Sequence, residues 1–278
     1  KSWNIEARDT IRTSDNNKLI FGGEYRGDKA SIYSGDNTVK NTDQYSLYLY
    51  DEYRVDNKLL LTPAIRYDYH KSFGSHTSPN LGATYFISDK SRFKANYGTS
   101  YRAPSVDELY GAFTHGGIWG GMAIVGNPDL KPEKSKGWEI SYEQEFGDTT
   151  SAKLTYFDNK KEDAISYKIE MAPPSQMGKF YNIDSTSSKG VEFEIKHDFG
   201  KGFTLVGNYN WLDSVDDTTG ERLNYNARNT YMAKLMWTEP IKKEWNITAW
   251  NKWYTDFQYD SDTCLLYTSP SPRDRQKS

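Results

Sequence analysis

Apolar and polar residues alternate with a period of two along most of this chain, which is the pattern of β-strands with one apolar and one polar face. After a loop over 27–41, for example, Tyr45, Leu47 and Leu49 alternate with Ser46. The pattern repeats about twelve times, and turns or loops separate the segments. We therefore predict an all-β, antiparallel protein in which Tyr45, Leu47 and Leu49 face an apolar medium.

The connections between the predicted strands alternate between short turns and longer loops. The longer loops all fall at one end of the strands, over 27–41, 70–78, 101–135, 171–178 and 213–224. In bacterial outer-membrane barrels the short turns face the periplasm and the longer loops face outside. This alternation predicts that the five loops lie on the cell surface.

The composition helps to decide whether the apolar face meets lipid or a protein core. The mean hydropathy is −0.85, and no run approaches the ~20 apolar residues of a membrane helix, which excludes a helical membrane protein. Aromatic residues make up 15% of the chain, with 22 Tyr and 8 Trp, as expected for a barrel with aromatic girdles at the membrane interfaces. A transmembrane antiparallel β-barrel is favoured, and a soluble sandwich or propeller is the alternative.

Charge and motifs narrow the function. The net charge is −3, with both signs interspersed, so we expect no nucleic-acid partner. The single cysteine, Cys264, cannot form an internal disulfide. The sequence contains no nucleophile elbow, P-loop, CxxC or HExxH motif, and we predict that the protein is not an enzyme.

The chain divides into a partial barrel domain over 1–257 and an irregular tail over 258–278. Within the tail, the stretch 262–278 has no alternation and resembles the translated adaptor sequence that ends some gene fragments. The chain begins inside an alternating segment without a preceding signal peptide, so we expect it to be a fragment.

The longest interval without alternation runs from Asn96 to Lys136. Ser105 and Glu108 have the spacing of a capping box, which predicts a short helix over SVDELY. Five glycines follow, and Pro128 and Pro132 then favour an extended backbone. We predict one large surface loop between two strands, and loops of this length are usually functional.

Several motifs resemble the TonB-dependent outer-membrane receptor family. They are Tyr101-Arg102-Ala103-Pro104, Asn127-Pro128-Asp129-Leu130 with KPEKS after it, GEYR at 23–26, PAIRYDYH at 63–70 and KGVEFEI at 189–195. The resemblance implies that about twelve strands of a barrel of about 22 strands are present. It also implies a bacterial outer-membrane location, contact with lipid, and a barrel that is monomeric.

The function implied by this resemblance is active uptake of an iron chelate, with a ferric siderophore first, haem second and cobalamin third. Iron would be cargo rather than a cofactor, and the TonB energy-transducing protein would act through a plug region. The rival interpretations are a passive porin and a purely structural or adhesive barrel.

Five residues of the long loop are candidates for ligand binding. His115 lies between the two boxes, where haem-uptake members of the family carry an axial ligand, and imidazole binds ferric iron; the alternative is a solvated histidine. Tyr110, Phe113 and Trp119 could stack on a macrocycle or a catecholate. The guanidinium of Arg102 could bind an anionic chelate, or form a salt bridge to Asp107 or Glu108.

The other histidines have weaker interpretations. His70 and His76 fall in one predicted external loop but have no third ligand nearby, so a metal site there is disfavoured. His197 lies near a short turn and is interpreted as incidental. The charged residues on the inward parity predict a lumen that is filled or gated; they are Glu24, Arg26, Arg54, Arg66, Asp68, Arg92, Lys94, Glu139, Glu143, Glu192, Glu194, Lys196, Lys234 and Lys252.

Overall fold

The computed structural model of the chain describes residues 1–31, 39–115, 122–172, 175–224 and 226–258. Almost all of them belong to one sheet of fourteen strands. The strands are β1 (Ser2–Ser14), β2 (Asn17–Ser31), β3 (Val39–Arg54), β4 (Leu59–His70), β5 (Gly74–Ser88), β6 (Ser91–Arg102), β7 (Ala112–His115), β8 (Met122–Val125), β9 (Glu133–Phe146), β10 (Thr150–Ala172), β11 (Ser175–Gly200), β12 (Phe203–Asp216), β13 (Ala227–Thr238) and β14 (Asn246–Phe257); the helix α1 spans Val106–Tyr110.

Twelve of these strands form the continuous antiparallel path β1-β2-β3-β4-β5-β6-β9-β10-β11-β12-β13-β14. Each strand pairs with its neighbours along the path, so the predicted number of barrel strands is confirmed. The two additional strands, β7 and β8, lie inside the long loop that was predicted to be irregular. Within the described ranges β1 does not pair with β14, so the sheet is open.

The two faces of the sheet differ as the alternation predicts. Tyr45, Leu47 and Leu49 are between 42% and 66% exposed, whereas Ser46 between them is only 4% exposed. Side chains on the concave face of a curved sheet converge and shield one another, while those on the convex face diverge. The apolar residues therefore lie on the convex face, where a barrel meets lipid.

The concave face carries a network of ion pairs. Arg66 pairs with Glu24 at 2.7 Å and with Asp68 at 2.9 Å. Nearer the short turns, the carboxylate of Glu143 accepts hydrogen bonds from both Arg92 and Lys94. Such groups belong on the polar side of the wall, because a charge on the lipid side costs about 2–4 kcal/mol near the midplane.

Several predicted loops are shorter than the sequence suggested. The prediction of a loop over 70–78 is wrong, because β4 continues to His70 and β5 begins at Gly74. A three-residue turn, 71–73, joins the two strands, and Gly74 after it has φ of 74°. His70 and His76 therefore both lie on strands. Outside lipid, backbone pairing holds a strand together without apolar alternation.

Other predicted loops are also shorter in the structure, for the same reason. β2 continues to Ser31, inside the predicted loop 27–41, and β12 continues to Asp216, inside the predicted loop 213–224. The predicted loop 171–178 is replaced by strand on both sides, since β10 reaches Ala172 and β11 starts at Ser175.

The β10–β11 hairpin is much taller than the rest of the wall. Its strands have 23 and 26 residues, although about 9–11 residues suffice to cross a membrane. The pairing of β12 with β11 begins only at Thr186, which leaves the upper edge of β11 free. β8 occupies this edge in parallel, from Gln176↔Met122 to Lys179↔Val125.

Among the described residues, no helix has the length and apolarity needed to cross a membrane. The predicted tail lies outside the described ranges from residue 259 onwards, and Cys264 lies there too. The assignment of 262–278 as an adaptor-like stretch therefore stays a prediction.

Candidate functional site at the long-loop end

The two sequence boxes of the long loop come together beyond the end of β6. As predicted, α1 begins with a capping box, in which Ser105 and Glu108 each bond to the backbone of the other. The chain returns along the other end of this helix. The N–H of Gly126 donates to the carbonyl of Gly111 at 2.7 Å, and that of Asn127 donates to the carbonyl of Glu108 at 2.8 Å.

We call this assembly, residues 102–111 and 125–133, the mouth unit. Leu109 is 1% exposed, Leu130 2% and Val106 4%. Pro104 is buried as well, and only one other buried apolar side chain, that of Ala164, lies elsewhere in the described part of the chain. Gly126 packs so closely that a Cβ there would lie 2.6 Å from the backbone nitrogen of Tyr110. The mouth unit thus has a small core of its own.

Arg102 joins the two boxes electrostatically. Its Nη1 lies 2.9 Å from Oε2 of Glu108, and its Nε donates to Glu133 at the start of β9. Glu133 also accepts the backbone N–H of Ile165 in β10 at 2.7 Å. The salt bridge to Glu108 considered as an alternative for Arg102 is therefore present.

The pKa of Glu108 reflects these contacts. Burial alone would raise it, but the hydrogen bonds from Arg102 and from the backbone of Ser105 lower it below its usual value. The carboxylate is therefore ionised at neutral pH, and it anchors α1 to the end of β6.

The mouth unit is also fastened to the tall hairpin. The side-chain amide of Asn127 donates to the carbonyl of Phe180 at 3.0 Å. Asn182 of β11 bonds to both backbone polar groups of Lys131, at 2.9 and 3.0 Å. Amide hydrogen bonds thus join the second box to the hairpin.

On its other side, α1 approaches strands that are distant along the sheet. It contacts β2 and β3, which are separated from β6 by β4 and β5. The path around the convex side of the sheet is longer than the path across its concave side. A segment as short as α1 therefore reaches β2 and β3 across the concave side. At this point the ammonium of Lys40 lies 5.3 Å from the centre of the Tyr110 ring, within the range of a cation–π contact.

The five predicted site residues are thus only partly described. Arg102 and Tyr110 belong to the mouth unit. Phe113 and His115 lie on β7, in register with Ile124 and Met122, but their side chains, and all of Trp119, lie outside what the structure describes. Their roles stay predictions. The sequence analysis missed Lys40, since no motif or periodicity marks it.

The histidines of β4 and β5 have structural contacts. Nδ1 of His70 accepts the backbone N–H of Ser72 at 3.1 Å. The His76 ring stacks on Tyr101 with 4.8 Å between ring centres, beyond the point where the β5–β6 pairing ends at Gly98. Tyr101 has the same parity along β6 as the outward residues Phe93 and Tyr97, but its half-buried ring departs from that pattern.

The remaining histidine and possible metal sites add little. His197 shares a hydrogen bond of 2.7 Å with the hydroxyl of Thr150. Within the described ranges, no group of three or more His, Cys, Asp or Glu residues is placed to hold a metal ion.

Comparisons with known proteins agree with this architecture. Residues 2–274 match the family described as TonB dependent receptor-like, beta-barrel. The iron-regulated outer membrane virulence protein of Vibrio cholerae is 29% identical over 235 residues, covering 79% of this chain and 36% of that protein. Heme/hemopexin utilization protein C of Haemophilus influenzae is 27% identical over 242 residues, covering 74% and 34%. The chain thus spans about a third of the length of these relatives.

Solved structures with the same fold include a variant of the ferric enterobactin receptor of Pseudomonas aeruginosa. It superposes with a TM-score of 0.74 at 20% identity, covering 91% of this chain and 41% of that one. The FrpB iron transporter of Neisseria meningitidis gives 0.63 at 15% identity, covering 89% and 41%. With its match over residues 2–274, its open antiparallel wall and its outward apolar face, the chain belongs to the TonB-dependent receptor family, as part of an outer-membrane β-barrel.

Proposed function

We propose that the receptor containing this chain takes up an iron chelate across the bacterial outer membrane, and that a ferric siderophore is the ligand. Iron is cargo in this proposal and not a cofactor. The TonB protein drives transport through parts of the receptor outside this chain, and the barrel works as a monomer. The names of the relatives, which refer to iron regulation and to heme use, support iron as the cargo.

The observation that carries the siderophore proposal is the position of α1. The helix is anchored by its own core, by Arg102 and by the returning box, and it brings the Tyr110 ring beside Lys40 on the concave side. A ferric catecholate is anionic and presents flat aromatic rings around its iron centre. An aromatic ring and an ammonium group suit such a ligand through stacking and cation–π attraction.

The other candidate residues take different roles in this proposal. Arg102 positions α1 by holding Glu108 and Glu133, and it adds positive charge at the mouth without being free for bidentate binding. Phe113 and Trp119 provide further rings on the segment between the boxes. The long-loop end faces outside, and the ion pairs of the concave face meet the plug of the complete receptor.

Haem is the second candidate ligand. His115 lies on β7 between the two boxes, and one relative is named for heme and hemopexin utilization. A neutral imidazole there would supply one axial nitrogen to ferric haem.

The test uses the complete receptor in a bacterial strain that lacks its own iron-chelate receptors. Uptake of a radiolabelled ferric catecholate is measured with and without TonB, and haem-dependent growth is measured in parallel. Tyr110→Ala should weaken binding of the ferric catecholate roughly 2- to 13-fold, since an aromatic stacking pair contributes about 0.5–1.5 kcal/mol.

Tyr85→Ala is the matched control, because Tyr85 is an outward ring that is 47% exposed. This variant should bind the ferric catecholate as the wild type does. Uptake that continues without TonB would favour a porin, and the absence of uptake with every chelate would favour a structural barrel.

A further inference from the structure

A boundary between apolar and charged residues crosses the outward face of β9 and β10. Toward the short turns this face carries Ile140 and Leu154, which are 49% and 50% exposed. At the boundary the rings of Trp138 and Tyr156 lie 5.4 Å apart, as expected for an aromatic girdle. Lys136 lies on the same face, two residues before Trp138 in the sequence. It is therefore about 7 Å closer to the long loops.

Lysines cluster directly above this girdle. Lys136 and Lys160 are directly opposite each other in the β9–β10 register, and Lys134 lies on the same face two residues further up. Like charges directly opposite on a sheet are destabilising. A bound anion would remove this repulsion.

The neighbouring carboxylates leave part of the cluster uncompensated. Lys134 is opposite Glu162 in register, and Asp158 lies on the same face opposite Trp138. Lys160 lies 3.6 Å from Asp217. Among the described residues, neither Lys134 nor Lys136 has a carboxylate within the 4.0 Å of an ion pair.

The height of the cluster indicates its partner. Side chains on the lipid-facing side just above an aromatic girdle lie at the level of the lipid headgroups. We propose that Lys134, Lys136 and Lys160 bind the phosphate groups of a phosphorylated lipid of the outer leaflet. The ammonium groups donate charge-assisted hydrogen bonds to the phosphate oxygens, and the acyl chains lie along the apolar face beneath. This inference does not depend on which ligand the receptor transports.

The test compares the complete receptor with its K136Q/K160Q variant in phosphatidylcholine nanodiscs that contain lipid A, a doubly phosphorylated glycolipid. Native mass spectrometry measures the lipid A that stays bound. The double variant should bind it about 30-fold more weakly, since each of the two lysines near a charged headgroup contributes about 1 kcal/mol. K136R/K160R should retain binding.

The matched control is K153Q/K196Q, which removes the same charge from β10 and the adjoining strand β11. These lysines lie on the inward parity, near the short turns, and lipid A binding should be unchanged. Equal binding by K136Q/K160Q and the wild type would overturn the site. Displacement of lipid A by inorganic phosphate at the same concentration would overturn the assignment to a lipid.

Discussion

The spanning sheet and the mouth unit place their apolar residues in opposite ways. In the sheet, Leu47 is 66% exposed while Ser46 beside it is buried. In the mouth unit, Leu109 is 1% exposed and charged Asp107 is exposed. The sheet is surrounded by lipid, which takes the place of a protein core, whereas the mouth unit stands beyond the girdle and must bury its own apolar groups.

This difference means that one substitution has different consequences in the two regions. The sheet is held by a continuous ladder of backbone hydrogen bonds, which does not depend on any single side chain. The mouth unit depends on four buried apolar side chains, one arginine with two carboxylates, and a few amide contacts. It should therefore loosen locally while the wall stays folded.

Truncation of a leucine should give the largest contrast. Leu109→Ala should destabilise the mouth unit by about 2–5 kcal/mol, since it leaves a cavity in a small core. Limited proteolysis of the complete receptor on intact cells should then cut this segment much faster. Leu81→Ala, at an outward position that is 52% exposed, should leave the cleavage rate unchanged. Equal cleavage of both variants would refute a separate core.

A charge introduced on the lipid face of the sheet should have the second-largest effect. Ile140→Arg places a guanidinium on the lipid face level with Tyr156 of the girdle, so its cost should fall between the about 0–1 kcal/mol of the interface and the about 2–4 kcal/mol of the midplane. The expected result is a loss of heat-resistant folded barrel on gels of outer-membrane fractions. Glu139→Arg puts the same group on the adjacent inward position and should assemble nearly normally. If both variants assembled equally well, the assignment of the faces would be wrong.

Acid should loosen the mouth unit before the wall. The pKa of Glu108 is lowered in the folded state, so its contribution is present above the unfolded value of about 4.3 and is lost as pH falls through the lower folded value. Glu108→Gln should cost about 1–2 kcal/mol at neutral pH, given that Arg102 is half exposed.

The rate of proteolysis, measured as a function of pH, reports this loss of stability in the mouth unit. In the wild type, cleavage of the mouth unit should accelerate only below about pH 4. In Glu108→Gln this acceleration should be weaker but still present, because Glu133, whose pKa is lowered by hydrogen bonds from Arg102 and Ile165 against the effect of burial, still becomes protonated. The neighbouring Asp107→Asn variant should behave as the wild type. An unchanged acid profile in Glu108→Gln would show that this ion pair does not hold the helix.

The smallest effect is expected at His115. If the ligand is a siderophore, its own oxygens already fill the coordination sites of iron, so His115→Ala should change binding of the ferric catecholate by less than about twofold. Thr114→Ala serves as the control. A large loss specific to haem, with a changed absorption spectrum of the haem complex, would instead establish haem as the ligand.

The local features were predictable from the sequence to different degrees. The alternation identified the strands and the outward face, and Ser105 with Glu108 identified the helix start. The loop 70–78 was misassigned because Ser75, His76 and Thr77 are polar on both parities. Periodicity cannot mark a strand that has water on both sides.

The sequence by itself determined the barrel wall, because an alternation of period two specifies the medium that each face meets and needs no information about distant residues. Only the tertiary structure decided the mouth unit. Asn182 bonds to Lys131 across 51 residues, Lys40 meets Tyr110, and β8 pairs with the free edge of β11. Each of these contacts depends on two segments arriving at the same place, and a single polar or aromatic residue carries no periodic signal of its partner.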